Sequence, residues 1–338
     1  LEGQRATTEV QGQLPKAPEL MVCLKRWQQY YYSSGITPRI KSKQIISGRL
    51  GNPWIDECRR LSQELRDRFT IWLKAESFRA ISDCLREKLS TRDSIRILIR
   101  TSNSDLRRLP WHEWDLLQSY NNAEIAFSPM TYDAFEDETI ASTPPPLNKQ
   151  KVKILAILGH SEGINIERDR QLLAALPDAE VEFLVEPDRA EIGDRLWEQP
   201  WDILFFAGHS HTEGNQGRIF INSEDSLTLS ELKYALQQAI RNGLQLAIFN
   251  SCDGLGLAEE LEQLHLPQMI VMREPIPDAM AQAFLQDFLK FFAQGQSLYL
   301  AERWAREKLH PLENVVPCAS WLPVICQNNL SVLPPNWE

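Results

Sequence analysis

No apolar stretch in the 338-residue sequence approaches the roughly 20 residues that a membrane span requires, and no signal peptide opens it. Contact with a membrane is therefore not expected from this segment. The first residue is Leu1 rather than Met. The expectation is a fragment or processed form of a longer protein, whose remainder could be membrane-attached. Cysteine is scarce: six residues, at 23, 58, 84, 252, 318 and 326, with no CxxC pair. That spacing argues against structural zinc and a disulfide framework, and it fits a reducing, cytoplasmic setting. An excess of positive charge is also missing, since the net charge is −10. Residues 1–150 carry 22 Lys and Arg against 19 Asp and Glu, whereas residues 151–338 carry 14 against 27. An acidic second part disfavours nucleic acid and would favour basic substrate segments. No internal repeat is visible, and no nucleophile-elbow motif supports Ser210 or Ser251 as a nucleophile.

What the sequence does contain is organised around Thr143-Pro-Pro-Pro-Leu147, where consecutive prolines hold the chain extended and cannot enter a ladder. Residues 1–147 read as a helical and strand region. Helical periodicity covers Leu20–Tyr32, Ile55–Trp72 (Leu61, Leu65, Phe69 and Trp72 on one stripe) and Phe78–Leu89, with strands next at Ser94–Arg100 and Ala123–Phe127. From residue 148 to 338, strands alternate with helices. The strands are Val152–Leu158, Val181–Val185, Ile203–Ala207, Leu246–Asn250, Gln268–Met272 and Trp321–Cys326. The helices are Arg168–Leu176, Ala190–Trp197, Leu229–Asn242 (capped by Thr228, with Glu231 set for a capping box), Leu255–Leu264, Pro277–Ala293 and Leu298–Leu309. A hairpin is expected near Arg218–Leu227. This alternation implies βαβ units, an α/β fold and a mostly parallel sheet.

Two apolar runs end in chemistry. Asp202-Ile-Leu-Phe-Phe-Ala-Gly-His209 delivers a histidine, and Leu244-Gln-Leu-Ala-Ile-Phe-Asn-Ser-Cys252 delivers a cysteine. Runs of this kind read as strands buried on both faces, and in parallel sheets the working groups gather beyond the carboxyl ends. Adjacent strands would bring a thiol and an imidazole to one rim, the arrangement nucleophilic catalysis needs. A thiol titrates near 8.5 when free, and a helix opening at Gly254 would favour its thiolate. Set against this, a lone cysteine is most often a small buried hydrophobe, and Cys23, Cys58, Cys84, Cys318 and Cys326 are read so. His211 and His160, the latter also in a Gly-His-Ser sequence after an apolar strand, are the local rivals of His209.

A hydrophobic block ending in His, with a later one ending in Cys, resembles the caspase-like cysteine peptidases of clan CD, and the CHAT family among them. Leu109-Pro-Trp-His-Glu-Trp114, Leu227-Thr-Leu-Ser-Glu-Leu232, Gly295-Gln-Ser-Leu-Tyr-Leu-Ala301 and Trp321-Leu-Pro323 extend the likeness over roughly residues 90–330. The pattern is most similar to the cyanobacterial HetF type, a protease of heterocyst differentiation. The resemblance implies a cysteine endopeptidase that cleaves selected protein substrates as a regulatory act, with no metal and no cofactor. Residues 148–338 would be the catalytic caspase-like CHAT domain, and residues 1–147 are open to reading as a degenerate caspase-like half. Cys252 would be the nucleophile, His209 the acid–base partner, and the N–H groups of Cys252 and Ser210 the oxyanion hole. Relatives usually carry Gly after the histidine; Ser210 keeps the N–H and adds bulk. By position, the pocket for the residue before the cleaved bond would draw on Glu162, Asn250, Asp253, Glu274 and Asp278, with Arg168 and Arg273 nearby. That acidic balance suits Arg or Lys. The alternative is a catalytically inactive caspase-like module that serves as a protein-interaction scaffold. Trp111-His-Glu-Trp114 is read as a packed corner between the two parts rather than as a binding surface.

Overall fold

The computed structural model describes residues 10–33, 53–101, 103–129, 151–213, 216–251, 254–328 and 334–337. Three helices come first: α1 (Pro18–Ser33), α2 (Pro53–Leu73) and α3 (Glu76–Lys88). Strand β1 (Ile95–Arg100) leads through the short α4 (Ser104–Arg107) and α5 (Asp115–Ser119) to β2 (Ala123–Ser128). The Thr143–Leu147 stretch lies outside the described residues. Then come β3 (Val152–Leu158), α6 (Ile166–Ala174), β4 (Ala179–Val185), α7 (Arg189–Glu198) and β5 (Ile203–Ala207). A small antiparallel sheet of β6 (Ser210–Glu213), β7 (Gln216–Phe220) and β8 (Ser226–Thr228) interrupts the alternation. The remainder is α8 (Lys233–Arg241), β9 (Leu246–Asn250), α9 (Gly254–Gln263), β10 (Gln268–Met272), α10 (Asp278–Ala293), α11 (Leu298–Glu307) and β11 (Pro323–Gln327).

The main sheet has eight strands in the order β1-β2-β11-β10-β9-β5-β3-β4. Every pairing in it is parallel except β10 with β11. The fold is therefore the mostly parallel α/β architecture that the alternation of elements implies. Strands β1 and β2 extend the same sheet beyond β11, so the core is continuous across the two parts of the chain. Alternate residues of β3, β5 and β9 serve opposite layers. Leu155, Ile157, Leu204, Phe206, Ala247 and Phe249 pack with α1, α2, α7, α8 and α9, while Ile154, Ala156, Ile203, Phe205, Leu246 and Ile248 meet α6, α10 and α11. Burial on both faces is why these strands read as unbroken apolar runs.

Local departures have local causes. The segment expected as a helix from Leu229 opens with a 3-10 turn over Leu229–Leu232 and becomes α-helical at Lys233; the capping box of Thr228 and Glu231 is formed. The last strand begins at Pro323, because Ala319–Trp321 close a 3-10 turn entered through Cys318 in a left-handed conformation (φ 65°). A strand's first position tolerates proline. Trp111 and Trp114 are buried against Phe69, Trp72 and Phe78, an aromatic corner joining the amino-terminal helices to the sheet. No described helix is long and apolar enough to cross a membrane.

Candidate active site

The register of the parallel strands decides what meets at the rim. Leu158 of β3 pairs with Ala207 of β5, and Ala207 pairs with Asn250 of β9, so three strands end level with one another. Gly159-His160, Gly208-His209 and Ser251 are the residues that leave those ends. Cys252 and Asp253 lie outside the described residues. In chain position Cys252 stands two residues beyond Asn250, as His209 stands two beyond Ala207.

His209 is fixed by its main chain. Its N–H donates to the carbonyl of His160 (3.2 Å) and its carbonyl accepts from the Phe220 N–H (3.0 Å), while the His160 N–H donates to the Phe220 carbonyl (2.9 Å). Two glycines permit this knot of three chain segments. A Cβ at Gly159 would lie 2.3 Å from the Phe220 carbonyl oxygen, and one at Gly208 would lie 3.0 Å from Phe206 Cζ and 3.3 Å from Gly159 Cα. The half-buried imidazole places Nε2 2.9 Å from the carbonyl oxygen of Glu162. A carbonyl can only accept, so in the neutral ring Nε2 must carry the proton, and Nδ1 is left with the basic lone pair. Glu162, read from sequence as an acid lining the substrate pocket, thus serves through its main chain; its carboxylate is 89 % exposed.

His160 lines the same rim, its ring centroid 5.6 Å from that of His209. Its nitrogens lie 3.5 Å from Glu186 Oε1 and 3.9 Å from Glu162 Oε2. His211 is exposed on β6, in register with Arg218 of β7. Ser210 opens β6 opposite Ile219. Since the flanking Phe220 N–H bonds to His209, the alternation of the antiparallel ladder makes Ser210 and Ile219 a non-hydrogen-bonded pair and directs the Ser210 N–H away from β7. The hairpin packs on α9 at Gly217, where a Cβ would meet the Leu257 main chain at 2.6 Å, and Glu260 accepts the Gly217 N–H at 2.7 Å. Helix α9 starts two residues after Cys252; a Cβ on Gly254 would lie 2.6 Å from Val271 Cβ, so only glycine brings this first turn onto β10.

The remaining pocket candidates separate into two groups. Asn250 is buried and donates from Nδ2 to Asp169 Oδ1 (3.1 Å), and Asp278 accepts the Asn165 N–H (3.2 Å) at the head of α6. Asp169, fully buried one turn further along α6, is a neighbour of the rim that sequence reading missed. Its signal was there: with Ile166 and Leu173 it lies on the inward stripe of that helix, where a carboxylate is out of place. Glu274 belongs elsewhere. Its fully buried carboxylate accepts from Arg108 Nη1 (2.9 Å), Gln28 Nε2 (2.6 Å) and the Tyr32 hydroxyl, which commits it to the amino-terminal helices instead of a pocket. The two nearby cations are committed as well: Arg168 donates to Gln286 on α10 (2.7 Å), and buried Arg273 donates to the carbonyls of Leu109 and Arg108.

The model of the CHAT domain family matches residues 57–328. The chain belongs to that family. The match runs from α2 to the end of β11, so the whole eight-stranded sheet and the rim lie inside the CHAT domain, and the eight-stranded α/β sandwich is its caspase-like fold. No curated protein matches the chain. Among the described residues no group of three or more His, Cys, Asp or Glu is arranged to hold a metal.

Proposed function

We propose that the protein is a cysteine endopeptidase in which Cys252 is the nucleophile and His209 the acid–base partner. The observation that carries this reading is His209 itself, clamped at the end of β5 beside β9, with a main-chain carbonyl selecting the tautomer whose Nδ1 is free to accept a proton. In the reaction, Nδ1 takes the Cys252 proton and the sulfur attacks the scissile carbonyl carbon. The oxyanion is held by the N–H groups of Cys252 and Ser210. The carbon–nitrogen bond breaks as the imidazolium protonates the departing amine. Water, deprotonated by the same nitrogen, then cleaves the thioester and regenerates the thiol. No carboxylate is needed to orient His209, because the Glu162 carbonyl does that.

The cleaved residue is proposed to be Arg or Lys. What supports this is a rim where Asp169, Asn250 and Asp278 are buried while Arg168 and Arg273 are turned to other partners. A buried carboxylate favours a guanidinium, which it can meet in bidentate fashion. The division into an amino-terminal region (1–147) and a catalytic part (148–338) is kept on the ground that β3, β5 and β9 supply the rim. Selected substrates and a regulatory role of the HetF kind are proposed from the likeness of the two blocks. A cytoplasmic setting is proposed from the unbridged cysteines among the described residues.

Labelling with an iodoacetamide-type probe, then hydrolysis of fluorogenic peptides ending in Arg or Asp, tests the reading. Labelling and Arg-peptide hydrolysis that both disappear in Cys252→Ala and His209→Ala would support it. Labelling indifferent to Cys252→Ala, with no hydrolysis by the wild type, would leave an inactive interaction module as the better account.

A further inference from the structure

Helix α1 lies outside the residues matched to the CHAT domain, yet its last turns are bonded to the turn between β10 and α10. Gln28 Nε2 donates to Glu274 (2.6 Å), the Tyr32 hydroxyl donates to the same carboxylate, and the Tyr31 hydroxyl donates to the Pro275 carbonyl (2.9 Å). From the other side Arg108 Nη1 bonds both Glu274 (2.9 Å) and the Arg273 carbonyl (3.1 Å). The Glu274 side chain is wholly buried by these partners. A carboxylate in such a place is held by charge-assisted bonds that are costly to break one at a time.

From Glu274 the chain reaches the site within a few residues. Pro275, Ile276 and Pro277 run into Asp278, whose carboxylate accepts the Asn165 N–H (3.2 Å); Gln282, one turn along α10, donates to the Asn165 carbonyl (3.0 Å). Asn165 lies three residues after Glu162, whose carbonyl bonds the His209 ring. Two prolines and a buried Ile276 leave the connection little slack. The position of the loop that orients His209 is thus tied through the 274–278 turn to a helix that the family domain does not include.

We propose that α1 is a strap holding the 274–278 turn, with Glu274 its anchor. Glu274 is a positioning residue that never touches substrate, and release of the last turns of α1 loosens the pocket side of the rim. The outer end of the strap is accessible, since Tyr32 is 47 % exposed, while Leu20, Leu24 and Trp27, ahead of Gln28, hold the body of the helix to the core. The last turns can therefore be released without unfolding the helix, which is what a regulatory contact requires. The consequence for catalysis rests on the peptidase reading; the strap itself does not.

The test compares wild type, Gln28→Ala/Tyr32→Phe, Glu274→Gln and, as a control on the outward face of α1, Val22→Ser, each in the full chain. Amide hydrogen exchange is measured in peptides covering 273–282 and 160–168. Loss of the two α1 donors should speed exchange over 273–282 by about tenfold or more, the equivalent of roughly one charge-assisted hydrogen bond. Glu274→Gln, which weakens every bond at the anchor and takes the charge partner from Arg108, should give at least as large an increase, and Val22→Ser none. Where the chain hydrolyses Arg peptides, KM should rise in the double variant while kcat changes less. Unchanged exchange over 273–282 in the double variant would overturn the strap even if hydrolysis is robust. Faster exchange with no hydrolysis by any form, wild type included, would keep the strap and remove the peptidase. A double variant that fails to fold, judged by circular dichroism, would make α1 a structural element and overturn a releasable strap.

Discussion

Gly159→Ala probes the knot around His209 with a single methyl group. The added carbon would be 2.3 Å from the Phe220 carbonyl oxygen and 3.0 Å from Phe206 Cε2. A carbon–oxygen contact normally needs about 3.3 Å, so one of the two chains must retreat by about 1 Å. The atom in the way is main chain, tied to the His160 N–H at 2.9 Å, and cannot rotate aside as a flexible side chain would. Overpacking of this kind costs about 1–3 kcal/mol, and loss of the bonds joining Phe220 to His160 and His209 adds about 0.5–1.5 kcal/mol each. A total of about 2–6 kcal/mol, at roughly 2 °C per kcal/mol for a chain of this size, lowers Tm by about 4–12 °C. Displacement of the His209 backbone by this distance should reduce peptide hydrolysis about a hundredfold, well beyond what the stability loss would cause at about 20 °C. Gly193→Ala is the paired control. Nothing lies within 4 Å of a Cβ there, inside α7, and alanine should stabilise by about 0.5–1 kcal/mol. If calorimetry finds Gly159→Ala as stable as wild type with its hydrolysis intact, the knot does not hold His209 in place.

Three further outcomes are expected. Glu124→Ala removes the carboxylate 2.6 Å from buried Arg306 and should cost about 2–3 kcal/mol by urea unfolding, less than the roughly 3–5 kcal/mol of a stranded charge, because Glu302 at 3.8 Å remains to pair with it. Burial, reinforced by the charge of Arg306, holds the His112 imidazole down at about 3. The unfolded chain takes up that proton near pH 6.5 and the folded one does not, so stability should fall as pH drops from about 6.5 towards 3, by up to about 1.4 kcal/mol per unit, and His112→Gln should flatten the slope in pH-dependent denaturation. Asp169→Asn should reduce kcat/KM for Arg-ending peptides at least roughly tenfold with little change in Tm; equal hydrolysis of Arg and neutral peptides by wild type and variant would remove Asp169 from the pocket.

The strands beneath the site are legible in the sequence because each is buried on both sides and bounded by turn formers. β3, β5, β9 and β10 occupy the residues that their apolar runs mark out. β6 is not legible. Ser-His-Thr-Glu is polar, and it becomes a strand only because β7 pairs with it over α9. The apolar pattern starts α6 two residues late, at Arg168, since Ile166 and Glu167 give no capping signal and Asn165 makes no side-chain cap. Glu274 is misplaced by sequence for a different reason. Its position in the chain points to the rim, but Arg108 and α1 arrive from more than a hundred residues away and take its charge, and no local pattern records such a partner.

Most of what orients His209 is main chain: the His160 carbonyl, the Phe220 N–H and the Glu162 carbonyl. Main-chain groups are common to all residues, so the identities at 160, 162 and 220 carry no mark of that work, whereas the glycines that let the segments approach do carry one. A histidine oriented by a carbonyl also behaves differently from one oriented by a carboxylate. On the proposed peptidase reading, a neutral acceptor fixes the tautomer and the ring plane and leaves Nδ1 as the acceptor for the thiol proton. Substitution of the Glu162 side chain should therefore leave hydrolysis nearly unchanged, while distortion of the 159–165 loop should not. The loop's attachment through Asn165 to Asp278 and Gln282 is then as much part of the machinery as the histidine it orients.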